Sequence, residues 1–157
     1  MRFAFFALLI ATLACTSALA REARSPCDVF SKAELAAVLG GKPIAPDPAT
    51  IGEETAPSCI WTVRGAKARL KIEIWSGDAL LVVGERTAHD YFDMRRREAL
   101  KFDGAELVYV GERAYRSAFD ESGEIGVLKD RRFIVFSFDN IRYRRALAFA
   151  KTVIRRL

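Results

Sequence analysis

The sequence holds a single histidine, His89, and the residues near it raise the first chemical question. Asp90 and Asp93 follow it, and Ser76 is the nearest serine, so the residue types of a Ser–His–Asp relay occur in one stretch. Such a relay needs a base hydrogen-bonded to a nucleophile and an acid that orients the base. Nothing around Ser76 marks it as activated. His89 falls in the first turn of an expected helix, the position of a surface or capping residue. Paired carboxylates would offer a second chemistry, glycoside hydrolysis by two acids roughly 5 to 9 Å apart across a cleft. The candidate pairs are Glu53 with Glu54, Asp120 with Glu121, and Asp103 with Glu106. All lie in expected loops or at strand starts, where solvated charge is the ordinary role. A hydrolase acting on cell-wall material through these loop carboxylates is therefore the alternative reading, and no catalytic residue is assigned. One histidine and scattered acids make no metal-ligand set. No Gly-rich loop opens a helix to cradle phosphate, and no cofactor is expected.

Binding chemistry has better candidates. Trp61 and Trp75 both fall in expected strands. Trp61 follows Cys59 by two residues and reads as core. Trp75 shares its side of the strand with Lys71 and Glu73, which makes it a candidate surface residue for a sugar or a partner, with edge-of-core packing as the competing role. Near the C-terminus, Arg142, Arg144, Arg145, Lys151, Arg155 and Arg156 would form the outer side of a last helix. Cations late in a helix offset its dipole, and their long stems cover neighbouring apolar surface. The functional reading is contact with an anionic membrane surface or acidic partner, with Arg142, Arg145 and Arg156 as the residues to test.

The compartment follows from the first residues. Arg2, the apolar run from Phe3 to Ala14, and Ala18-Leu19-Ala20 before charged Arg21 read as a secretory signal peptide, residues 1–20. The run is shorter than the roughly 18 residues of a membrane span. Cleavage after Ala20 would give a periplasmic or secreted domain, 21–157. The alternative is lipid anchoring through Cys15. A lipoprotein site has an aliphatic residue three positions before its cysteine, and Thr12 stands there. In either outcome Cys27 and Cys59 remain, an even pair in an oxidising compartment, which predicts a structural disulfide. The spacing is not that of a redox Cys-x-x-Cys, and no histidine cluster accompanies it.

The chain carries 25 basic and 20 acidic residues, and removing residues 1–20 takes away Arg2 alone, leaving a net charge of about +4. That mild excess, at an extracytoplasmic address, argues against a nucleic-acid partner. The 137 residues that remain suit one domain with one core.

The elements that must carry these residues are well punctuated. Ser31 and Glu34 form a capping box, Leu35, Val38 and Leu39 share a face, and Gly40-Gly41 ends the first helix. SCIWTVR and KARLKIEIW flank a Gly65-Ala66 turn as a hairpin, the second strand alternating apolar and charged residues. ALLVV reads as a third strand. Thr87 then caps a helix, with Asp90 three residues on. AELVYV, AYRSAF, EIGVLKD and RFIVFSF read as four strands, with turns at 120–123 and at Asp130-Arg131. A last helix from about Ile141 to Leu157 buries Tyr143, Ala146, Leu147, Ala150, Val153, Ile154 and Leu157. The fold class is α+β, in the order helix, strands, helix, strands, helix, with an antiparallel sheet, helices packed on one face and one disulfide.

The run Cys27-Asp28-Val29-Phe30 with Leu39-Gly40, then Cys59-Ile60-Trp61 and Gly111-Glu112-Arg113-Ala114-Tyr115, resembles small secreted bacterial envelope proteins and lipoproteins of unknown function. The likeness spans nearly all of residues 21–157. It implies the same fold, the Cys27–Cys59 pairing and an envelope address, and it carries over no catalytic residue. Glu112 departs from the family's usual aspartate. The expected function is a non-enzymatic periplasmic or envelope binding module whose ligand is an envelope protein or small molecule.

Overall fold

The computed structural model describes residues 26–28, 30–44, 56–63, 65, 67–102 and 105–157. The expected signal segment with Cys15, and the acids Glu53, Glu54 and Asp103, lie outside these residues. After a short 3-10 turn at Pro26–Asp28, the chain runs through α1 (Lys32–Leu39), β1 (Ser58–Thr62), β2 (Arg69–Trp75), α2 (Asp78–Val82) and α3 (Ala88–Phe102). It continues through β3 (Glu106–Leu107), β4 (Arg113–Phe119), β5 (Ser122–Lys129), β6 (Arg132–Asp139) and α4 (Tyr143–Ile154).

The six strands form one antiparallel sheet in the order β1-β2-β6-β5-β4-β3. Local turn chemistry sets most of it. β5 and β6 are joined by Asp130 and Arg131 alone, both at positive φ (48° and 62°), the signature of a type I′ hairpin turn. The Glu112 carboxylate accepts the Asp130 N–H at 2.9 Å and holds that turn. The expected strand at 79–83 is instead helix α2, Asp78–Val82, with Val83 as its C-cap. Glycines at positive φ bracket α2 at Gly77 and Gly84. Both sides of β2 are already paired, to β1 and β6, which leaves no place there for a further strand. The expected strand AELVYV contracts to Glu106–Leu107.

The helices cover both faces of the sheet, which corrects the expectation of a single covered face. Along β6, Ile134, Phe136 and Phe138 belong to one core cluster with α1 and α4, whereas Phe133 and Val135 belong to another with α2 and α3. Phe136 meets Phe149 of α4, ring centroids 6.5 Å apart, while Phe133 meets Tyr91 and Phe92 of α3 at 5.4 and 5.7 Å. The physical reason is legible in RFIVFSF. A central strand apolar at both parities must be covered on both sides. Fully burying one such side chain contributes about 1.5–3 kcal/mol.

Cys27 and Cys59 are bonded, their Cα atoms 5.3 Å apart, and the bridge fastens the 3-10 turn to β1. The α+β class, the antiparallel sheet and the disulfide stand as expected. α1 carries the anticipated capping box at Ser31 and Glu34 and ends at Gly40, φ 76°. α3 opens on Thr87, whose hydroxyl oxygen accepts the Asp90 N–H at 3.1 Å. α4 lacks a side-chain cap and starts instead on the β4–β5 turn, where the Ile141 and Tyr143 N–H groups donate to the Glu121 and Asp120 carbonyls. Its other end meets two cations from the β5–β6 hairpin: Lys129 Nζ donates to the Ile154 carbonyl and Arg132 to that of Leu157.

Candidate functional site

The acids that could serve a relay around His89 already hold other groups. His89 is exposed in the first turn of α3. Asp90 is engaged by Thr87, whose hydroxyl donates to Oδ2 at 2.7 Å. Asp93 receives two hydrogen bonds from the Arg113 guanidinium, at 2.5 and 3.2 Å, which hold its carboxyl below the usual carboxylate range. Arg113 itself lies 4.9 Å from the Phe92 ring centroid. These pairs bound a hollow of about 520 Å³ lined by Glu85, Asp90, Asp93, Arg96 and Arg97. Arg96 Nε is buried there without a hydrogen-bond partner. The cluster caps and anchors α3.

Beneath α3 lies a polar group that single-sequence reasoning missed. The Tyr115 hydroxyl donates to the Glu124 carboxylate, whose other oxygen accepts from Arg95 at 2.7 Å. Tyr115 is fully buried, and its burial, reinforced by the Glu124 charge, pushes the phenol well up from its ordinary range. The ring also covers Gly126, its cross-strand partner, so closely that a Cβ there would come within 2.3 Å of it. This network fixes α3 to β4 and β5. A phenol held neutral in this way is a donor and a packing element, not a nucleophile.

Trp75 is not at the surface. It does lie on the Lys71–Glu73 side of β2, but that side is roofed by α3 at this point, leaving Trp75 8 % exposed with its ring 4.8 Å from Tyr91. Trp61 is buried, edge-on to Phe30 at 5.4 Å, in the cluster that contains Cys59. The candidate arginines divide by role. Arg156 pairs with Glu34 of α1. Arg145 extends over the end of α1, its Nη1 2.9 Å from where a Cβ on Gly40 would stand. The Arg156–Glu34 pair ties α4 to α1.

Arg142 belongs to a second hollow, about 590 Å³, between β4 and the start of α4. Arg116, Ala118, Asp120, Glu121, Tyr143 and Arg144 complete it. Arg116 is held on two sides, by Glu106 and by the Tyr143 ring at 4.5 Å. Of the carboxylate pairs, then, Glu106 neutralises an arginine, while Asp120 and Glu121 are exposed at a hairpin turn. Among the described residues, no three His, Cys, Asp or Glu side chains gather to hold a metal ion, and no helix is long and apolar enough to cross a membrane.

Large apolar side chains are also exposed, in two places above all. Leu81 and Val82 on α2 are 64 and 65 % exposed, and Leu107 and Tyr109 at the β3 edge are 64 and 99 % exposed. The sequence signal existed in both places. ALLVV is too short for a core helix, and in AELVYV both parities are apolar, so one of them must face out at an edge. No family model matches the chain, and neither curated proteins nor solved structures yield a match.

Proposed function

We propose that the chain is a non-enzymatic binding module of the bacterial envelope, exported through residues 1–20 and akin to the secreted proteins it resembles. One observation carries the reading. Charged and phenolic side chains pair with one another in Asp93–Arg113, Glu106–Arg116, Tyr115–Glu124–Arg95 and Glu34–Arg156, while α2 presents Leu81 and Val82 to solvent. Exposed apolar side chains bracketed by polar ones are a feature of contact surfaces.

The test is cross-linking in intact cells, comparing the wild type with a Leu81→Ser/Val82→Ser variant, followed by mass spectrometry of the captured material. An envelope component present with the wild type and lost from the variant is the expected result. Intact mass of the captured protein should place its first residue at Arg21, whereas a lipidated Cys15 would put it in the membrane fraction. Release of fragments from purified cell wall by the wild type, abolished by Asp120→Asn with Glu121→Gln, would overturn the reading in favour of a hydrolase.

A further inference from the structure

The hollow between β4 and the start of α4 carries charges of both signs. Asp120 and Glu121 come from the β4–β5 turn, Arg142 and Arg144 from the residues that open α4. Backbone bonds join the two sources. The Tyr143 N–H donates to the Asp120 carbonyl at 2.9 Å, and the Ile141 N–H to the Glu121 carbonyl at 2.8 Å. The two carboxylates and the two guanidiniums are thus mounted on one hydrogen-bonded frame. Arg116, which also lines the hollow, is already engaged by Glu106 at 2.9 Å and by the Tyr143 ring.

Opposite charges on one frame have every opportunity to pair. Asp93, Glu106 and Glu34 each hold an arginine from another element. Among the described residues, the side chains of Asp120, Glu121, Arg142 and Arg144 make no hydrogen bond or ion pair, with one another or with anything else. The two signs therefore stand farther apart than an ion pair, with about 590 Å³ of open space in the hollow they line.

We propose that this hollow binds a short peptide with free termini, its carboxylate on Arg142 and Arg144 and its ammonium on Asp120 and Glu121. A guanidinium presents a fork of donors that matches a carboxylate, and an ammonium offers three donors to carboxylate oxygens. A simple anion would meet the two acids as well as the arginines, and a simple cation the reverse. A ligand that carries both charges finds attraction at each end. An extended chain spans about 3.3–3.6 Å per residue, so a dipeptide sets its ends about 7 Å apart, beyond ion-pair distance. The volume lies within the roughly 300–1,000 Å³ of small-molecule sites. The inference rests neither on export of the chain nor on the α2 surface.

Amide chemical shifts of the purified protein, titrated with alanyl-alanine, test it. Shifts should concentrate at residues 116–121 and 142–144, with a dissociation constant of about 1 mM or tighter. N-acetylation of the dipeptide, or amidation of its C-terminus, should each weaken binding roughly tenfold. Two double variants separate the ends. Arg142→Gln/Arg144→Gln should erase the difference between the dipeptide and its amide, and Asp120→Asn/Glu121→Gln the difference between the dipeptide and its acetylated form. All four positions are exposed, and asparagine tolerates the positive φ of Asp120, so both variants should fold. No shift at the hollow, equal binding of the blocked and free dipeptides, or variants that still discriminate as the wild type does would each overturn the proposal.

Discussion

Arg131 occupies a backbone conformation that its own side chain makes costly. At φ 62° it fills the second central position of the β5–β6 turn, where glycine is the ordinary residue. The left-handed region costs a residue with a Cβ about 1–2 kcal/mol, and the entropy that glycine adds to the unfolded chain returns part of that. Arg131→Gly should raise stability by about 0.5–1 kcal/mol, read as a higher denaturant midpoint at unchanged slope. A lower midpoint would mean that the guanidinium contributes more than the turn loses. The two residues between alternating strands mark the turn locally, although Glu112 also holds it from 18 residues away, and Asp130-Arg131 is therefore recognisable as a turn from the sequence. Tyr115 is the opposite case. Its fit over Gly126 and its bond to Glu124 join residues on neighbouring strands, and no local pattern announces them.

α1 and α4 show how two short amphipathic elements become one layer. Leu35, Val38 and Leu39 share a core cluster with Phe149, Ala150, Val153 and Ile154, while Arg156 pairs with Glu34 across the two helices. The Arg156 guanidinium, with the Ser31 backbone and hydroxyl, holds the Glu34 carboxyl down to about 2 from 4.5. A folded-state value below the unfolded one stabilises the fold at pH above the unfolded value, and that stabilisation is lost as the proton binds. Stability should therefore fall from about pH 4.5 toward pH 2, and Glu34→Gln should flatten that part of the profile. A profile identical to wild type would show the pair to be idle, as exposed pairs often are. The capping box that positions Glu34 was legible, because Ser31 and Glu34 are three residues apart. Its partner lies 122 residues away and, by helical spacing alone, is one of six outward cations. The same limit hid Phe149 from the expected stripe of α4 and turned α2 into a strand. Period and caps specify an element, but which neighbour covers it is decided in three dimensions.

Across the whole molecule, one sheet is shared by two cores, and the disulfide serves only the core beneath α1 and α4. Cys27→Ser should cost about 2–5 kcal/mol and should loosen hydrogen-exchange protection in α1 and β1 more than in α3. Equal protection loss in α3 would show the two cores to be inseparable. The strand order was not readable, since four of its five pairings join chain neighbours and the fifth, β2 with β6, does not. That fifth pairing has a consequence for biogenesis. A chain delivered N-terminus first presents Cys27 and Cys59 long before Phe133 to Phe138 arrive. The bridge can close while β2 still waits for its partner strand. During that interval Leu70, Ile72 and Ile74 lack the neighbour that completes their cover, and their strand has an open edge of its own. The last strand to emerge is the one that joins the two halves of the sheet, so the nascent protein stays vulnerable to proteases and to its own kind until almost the whole sequence has been delivered.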